Sequence, residues 1–152
     1  MIALAAFIAL LQAEPAREAL WPKGAPGAVG EEERDKPSIT LQPDNASAPV
    51  LWTGSHGGEA RLLVGSDPLE LWHWSLGPGD ERASDAHRPN AREALYVTGG
   101  AVTLCLGSGD PVVVKRGQSA LFRADEPHSY RNDGKTAATF VLAGHEPSGG
   151  VP

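Results

Sequence analysis

From residue 49 onward, apolar residues come in short runs rich in branched and aromatic side chains, each closed by turn residues such as Gly, Asp-Pro or Asn-Asp-Gly. That punctuation limits the possible folds more than any other feature of the chain. Candidate strands are 50–53, 60–64, 69–76, 93–97, 101–106, 111–115, 119–123 and 136–142, with another opening at His128. Reversals fall at Gly99-Gly100, 106–110 and 132–135, where Gly, Asn and Asp suit tight turns. Within 69–76, Leu69, Leu71, His73 and Ser75 share one face, and Glu70, Trp72, Trp74 and Leu76 share the other, because strand side chains alternate. Short strands at roughly eight-to-twelve-residue spacing predict an antiparallel sandwich or barrel. No βαβ repeat or phosphate loop interrupts the pattern.

A chain of 152 residues holds one domain with a real core. The net charge of −6 and the scattered Lys and Arg argue against a phosphate-gripping surface, so no direct nucleic-acid binding is expected. Cys105 is the only cysteine, which excludes an intrachain disulfide and a cysteine-rich metal site, and it reads as a buried structural thiol. Residues 2–11 are wholly apolar but too few to span a bilayer. They read as a helix over 2–12 packing on the domain or a partner. The run also resembles the apolar part of a signal peptide, although no Lys or Arg precedes it. A cytoplasmic location without membrane contact is the expectation. Residues 21–45, with Pro22, Pro26, Pro37 and Pro43, read as a loop-like arm in which 39–41 adds an edge strand. The expected division is an N-terminal helix and extended arm over 1–48, then a β-domain over 49–152.

Chemistry concentrates between Gly79 and Asn132. Glu93 lies on a candidate strand, His87 sits in the loop before it, and His128 opens another strand. A carboxylate and two imidazoles converging from separate segments suit Mn, Fe, Ni or Zn with open positions for water or substrate. Asp85, two residues before His87, is a candidate fourth ligand. A pocket holding metal weakly or not at all fits the same residues. His73, Arg92, Arg123, Arg131 and Tyr130 offer polar groups near the mouth for a small anionic or polar molecule. Trp52, Trp72 and Trp74 are a heavy aromatic load, and the pair Trp72 and Trp74 on one strand face suits core packing and a homodimer face.

The framing residues resemble the two motifs of the cupin superfamily. Gly79, Asp85-Ala86-His87, Glu93 and Gly100 follow the first motif, and Gly117, His128 and Asn132 follow the second. Asp85 stands where the family carries its first histidine, and one extra residue separates His87 from Glu93. Arg123 and Asp125 take slots usually held by Pro and Gly. The resemblance implies an all-β, cupin-type jelly-roll (double-stranded β-helix) barrel, with ligand slots at Asp85, His87, Glu93 and His128, and pairing of two copies. Residues 60–64, 69–76, 87–93 and 122–132 look most like the effector-sensing cupin half of bacterial XRE-type regulators. About fifty residues precede the first barrel strand, fewer than the usual DNA-binding half and linker need. The resulting expectation is a small-molecule-binding sensory module with no assigned catalytic residue. The alternative is a metal-dependent enzyme (dioxygenase, isomerase or decarboxylase) using His87, Glu93 and His128.

Overall fold

The two-residue period of 69–76 recurs through the computed structural model and decides which side chains meet. The structure describes residues 17–19, 38–40 and 46–147. The helix expected over 2–12, and the arm over 21–45 apart from 38–40, lie outside the described residues. Two compact units divide the chain, Met1–Pro43 and Asp44–Pro152. In the first, β1 (Arg17–Ala19) and β2 (Ser38–Thr40) pair antiparallel.

The second unit holds β3 (Val50–Thr53), β4 (Glu59–Ser66), β5 (Leu69–Leu76), β6 (Glu81–Ser84), β7 (Arg92–Gly99), β8 (Ala101–Leu106), β9 (Val112–Lys115), β10 (Ser119–Arg123), β11 (His128–Arg131) and β12 (Ala138–His145). They form a six-stranded sheet in the order β10-β7-β12-β5-β4-β3 and a four-stranded sheet in the order β6-β11-β8-β9, antiparallel throughout.

The expected barrel is corrected here, because neither sheet closes. β10 and β3 remain edges of one sheet, and β6 and β9 remain edges of the other. At one corner the backbones of loops 85–91 and 124–127 meet through two hydrogen bonds, His87 N–H to the Ala124 carbonyl (2.9 Å) and Ala124 N–H to the Ala91 carbonyl (3.0 Å), rather than through a continuous ladder. Pro89 and Pro127 lie in these loops and have no N–H to extend a ladder. The architecture is therefore a two-sheet, cupin-like fold held together by side chains between the sheets. β6 escaped the sequence reading because Glu-Arg-Ala-Ser lacks the branched and aromatic residues that mark strands.

Inward residues of both sheets form one core. Trp74 and Phe140 stack with ring centroids 5.8 Å apart, and Tyr130 packs at 5.7 Å from Trp74 and 5.5 Å from Phe140. Phe140 is fully buried, so truncating it to Ala would cost about 3–5 kcal/mol. Cys105 is half-buried rather than buried, and carries no disulfide.

The two ends of the chemistry-bearing stretch are tied to each other. Gly79 N–H donates to the Asn132 carbonyl (2.9 Å), and Asn132 N–H donates to the Asp80 carbonyl (3.0 Å). The buried Asn132 side chain donates to the carbonyls of Leu76 and Thr136, both at 2.9 Å. Buried Asp80 accepts the backbone N–H groups of His56, Gly58 and Gly77, each at 2.8 Å. Burial alone would raise the Asp80 pKa, but these donors and the His56 ring outweigh it and hold the carboxyl below its ordinary value. Gly77 is required beside this clasp, since a Cβ there would lie 1.9 Å from the His56 carbonyl oxygen.

Candidate metal centre

Alternation on β7 and β11 supplies two of the three donors. Glu93, Leu95 and Val97 are the buried positions of β7, and on β11 His128 and Tyr130 share one face. His87 arrives from the loop 85–91. There Ala91 N–H donates to the Arg88 carbonyl at 3.0 Å, and Asn90 takes a φ of 68°. Pro followed by a positive-φ Asn is the composition of a type II turn, and this turn absorbs the extra residue between His87 and Glu93. Asp125 braces the turn by accepting Asn90 N–H at 2.9 Å, while Arg123 Nε and Nη2 grip the same carboxylate at 2.9 and 2.8 Å. The Arg123 contact first, and the Asn90 N–H second, hold Asp125 far below the usual carboxylate range.

His87 Nε2 lies 3.4 Å from Glu93 Oε1, and His128 Nε2 lies 3.5 Å from Glu93 Oε2. The three donor atoms all fall within 4.8 Å of one another. Both imidazoles are oriented from behind: His87 Nδ1 sits 2.5 Å from Glu146 Oε1, and His128 Nδ1 sits 2.9 Å from the Glu126 carbonyl. With the Nδ1 protons donated to these acceptors, each Nε2 lone pair faces the centre. His128 Nε2 is buried and has no hydrogen-bond partner, since its contact with Glu93 is an ion-pair distance only. Donors bound at about 2.1 Å to a single ion stand roughly 3.0–3.4 Å apart, and the two His–Glu93 distances, to different carboxylate oxygens, lie at the upper edge of that range. His87, Glu93 and His128 can thus coordinate one divalent ion, and three donors with no fourth among the described residues fit weak binding.

Tyr130 completes the surroundings by donating its hydroxyl hydrogen to Glu93 Oε2. Burial, followed by the Glu93 charge, pushes the Tyr130 pKa well up and keeps that proton in place. Burial opposes protonation of His128, but Glu93 and the Glu126 carbonyl outweigh it, and the net direction is upward. Beside the triad is a cavity of about 140 Å³, bordered by Trp52, Trp72, Trp74, Arg82, His87 and Glu93.

Of the residues expected at the site, the structure brings His87, Glu93, His128 and Tyr130 together. Asp85 is not in the cluster: β6 ends at Ser84, its half-buried positions are Arg82 and Ser84, and Asp85 is exposed. His73 lies on the face of β5 opposite Trp72 and Trp74, level with Arg61 and Val141 on the neighbouring strands. Arg92 is exposed on the opposite face of β7 from Glu93, and Arg123 is exposed and paired with Asp125. Trp74 belongs to the buried core and Trp72 packs against it, and both line the cavity between the sheets. Glu146 and Arg82 were not singled out from the sequence. Glu146 meets His87 across 59 residues, a separation no local pattern reports.

Residues 72–144 match the family model described as a cupin domain. Among solved structures, the cupin domain of an XRE family transcriptional regulator from Enterobacter cloacae is similar at 23% identity, covering 60% of this chain and 98% of that one with a TM-score of 0.56. A predicted oxalate decarboxylase from Thermotoga maritima is similar at 17% identity over 70% of this chain and 99% of that one, with a TM-score of 0.59. A polyketide cyclase from Streptomyces resistomycificus is similar at 16% identity over 70% of this chain and 80% of that one, with a TM-score of 0.57. At these identities the likeness concerns the fold alone. No curated protein matches the chain. Among the described residues, no helix is long and apolar enough to cross a membrane.

Proposed function

We propose, from the premise that residues 72–144 of this chain are a cupin domain, that the domain is a metal-dependent enzyme acting on a small molecule held in the cavity between its sheets. The observation that carries this reading is the convergence of two Nε2 atoms on Glu93, with both Nδ1 atoms held from behind. His87, Glu93 and His128 would hold the ion, and two histidines with one carboxylate is a donor set used by Fe(II), with Mn, Ni and Zn as further candidates. When bound, the metal supplies Lewis-acid or oxygen-activating chemistry.

The chain's own side chains prepare that centre. Tyr130 occupies one Glu93 oxygen and fixes the carboxylate plane, Glu146 and the Glu126 carbonyl set the imidazole tautomers, and the tryptophans exclude water from one side. Titration of chelator-treated protein with Mn, Fe(II), Ni and Zn tests the reading. Binding of one ion per chain, lost in His128→Ala, supports it. Failure of every metal to bind the wild-type chain overturns it.

A second reading, a small-molecule sensor, draws on the likeness to the regulator's cupin domain and on the cavity itself. It requires saturable ligand binding without turnover in the metal-loaded protein. Homodimer formation belongs to both readings, and exposed Tyr96 and Leu121 on adjacent strands β7 and β10 offer an apolar face for it. Light scattering of a strictly monomeric protein at micromolar concentration would rule the dimer out.

A further inference from the structure

Arg82 is treated differently from other arginines of the domain. Arg61, Arg123 and Arg131 each grip a carboxylate two residues away, on Glu59, Asp125 and Asp133. The carboxylate two residues before Arg82 is Asp80, and it is already committed to three backbone N–H groups. Two carboxylates, Glu70 and Glu93, also border the cavity, and each takes its hydrogen bond from an aromatic neighbour rather than from Arg82. Glu70 accepts the Trp72 indole N–H at 2.9 Å, and Glu93 accepts the Tyr130 hydroxyl. Among the described residues no carboxylate pairs with Arg82. It is nevertheless half-buried, level with Tyr130 in the β6–β11 ladder, and borders the cavity beside His87 and Glu93. A partly desolvated guanidinium against an apolar wall is costly unless an anion meets it.

The wall itself is aromatic. Trp52 and Trp72 pack on Trp74 with ring centroids at 5.5 and 6.2 Å. The volume of this partly open cavity, about 140 Å³, is close to the roughly 150 Å³ that admits benzene in an engineered cavity. The space therefore suits one small ring or a short chain, with Leu51, 57% exposed, at the rim.

We propose that the cavity takes a small monocarboxylate, its carboxylate on Arg82 and its apolar body against Trp52, Trp72 and Trp74. This rests on the cavity being the substrate site of the proposed function. The test is a tryptophan-fluorescence titration of the chelator-treated full chain with benzoate and with benzyl alcohol, its uncharged counterpart. Benzoate should bind at least about tenfold more tightly, the ratio expected when a charge-assisted hydrogen bond is gained. Arg82→Gln should remove that preference, and Arg82→Lys should keep part of it. Equal binding of the two probes, no binding of either, or a preference retained in Arg82→Gln would overturn the proposal. The wild-type comparison decides even where the variant fails to fold. Omitting metal separates the two readings: a benzoate preference in a chain that binds no metal leaves Arg82 as the anchor and removes only the metal centre.

Discussion

Glu146 Oε1 lies 2.5 Å from His87 Nδ1, so the least buried donor of the triad is oriented by a residue just beyond the last strand. A carboxylate behind a metal-binding imidazole fixes its tautomer and raises its basicity. Glu146→Gln should weaken metal affinity by about 10- to 100-fold while leaving the unfolding transition nearly unchanged, because the Glu146 side chain is 42% exposed. Competition against a chromogenic chelator measures the first effect, and thermal melts measure the second.

Asp125 reaches the same histidine through the backbone. It accepts Asn90 N–H in the turn between His87 and Glu93, and Arg123 holds it in place. Asp125→Ala removes the acceptor, whereas Arg123→Ala leaves it. The aspartate variant should therefore lose roughly tenfold in metal affinity, and the arginine variant clearly less. Equal losses in the same competition assay would mean that the Asn90 contact does not position His87.

The Asp80 clasp gives a pH dependence of defined sign. Its folded pKa is depressed, so its stabilisation is complete above its unfolded value of about 4 and is lost as pH falls through the lower folded value. Asp80→Asn should be less stable than wild type at pH 7, and the gap should narrow as the solution is acidified below about pH 4. Urea unfolding at a series of pH values reads this directly. A gap that stays constant would assign the role of Asp80 to shape rather than charge.

Two glycines separate close approach from backbone conformation. At Gly77 a Cβ would meet the His56 carbonyl oxygen at 1.9 Å, while at Gly117 it would meet nothing within 4 Å but the φ is +84°. Gly117→Ala should cost about 1–2 kcal/mol from the left-handed backbone alone. Gly77→Ala forces backbone to move and should cost more than about 3 kcal/mol. Chemical denaturation of both variants ranks them.

How much of this could be read in advance follows from the range of each signal. Gly79, Gly100 and Gly117 announce turns that are local in sequence, and together with Asn132 they frame His87, Glu93 and His128. Tyr130 follows from His128 by the two-residue period. Asp85, a candidate fourth ligand from its motif slot, lies just past the end of β6 at Ser84 and outside the cluster, whereas the loop turns His87 in. Arg82 was hidden in a strand whose composition does not look like one. Closure into a barrel depends on hydrogen bonds between edges far apart in sequence, and periodicity cannot report those.

The most direct measurement of the central claim is anomalous scattering from crystals soaked in Zn or Fe(II). The expected result is a single ion about 2.1 Å from His87 Nε2, His128 Nε2 and a Glu93 oxygen, with Asp85 uninvolved. No ion at the triad under saturating metal, or an ion held elsewhere, would contradict the assignment of His87, Glu93 and His128 as a metal centre.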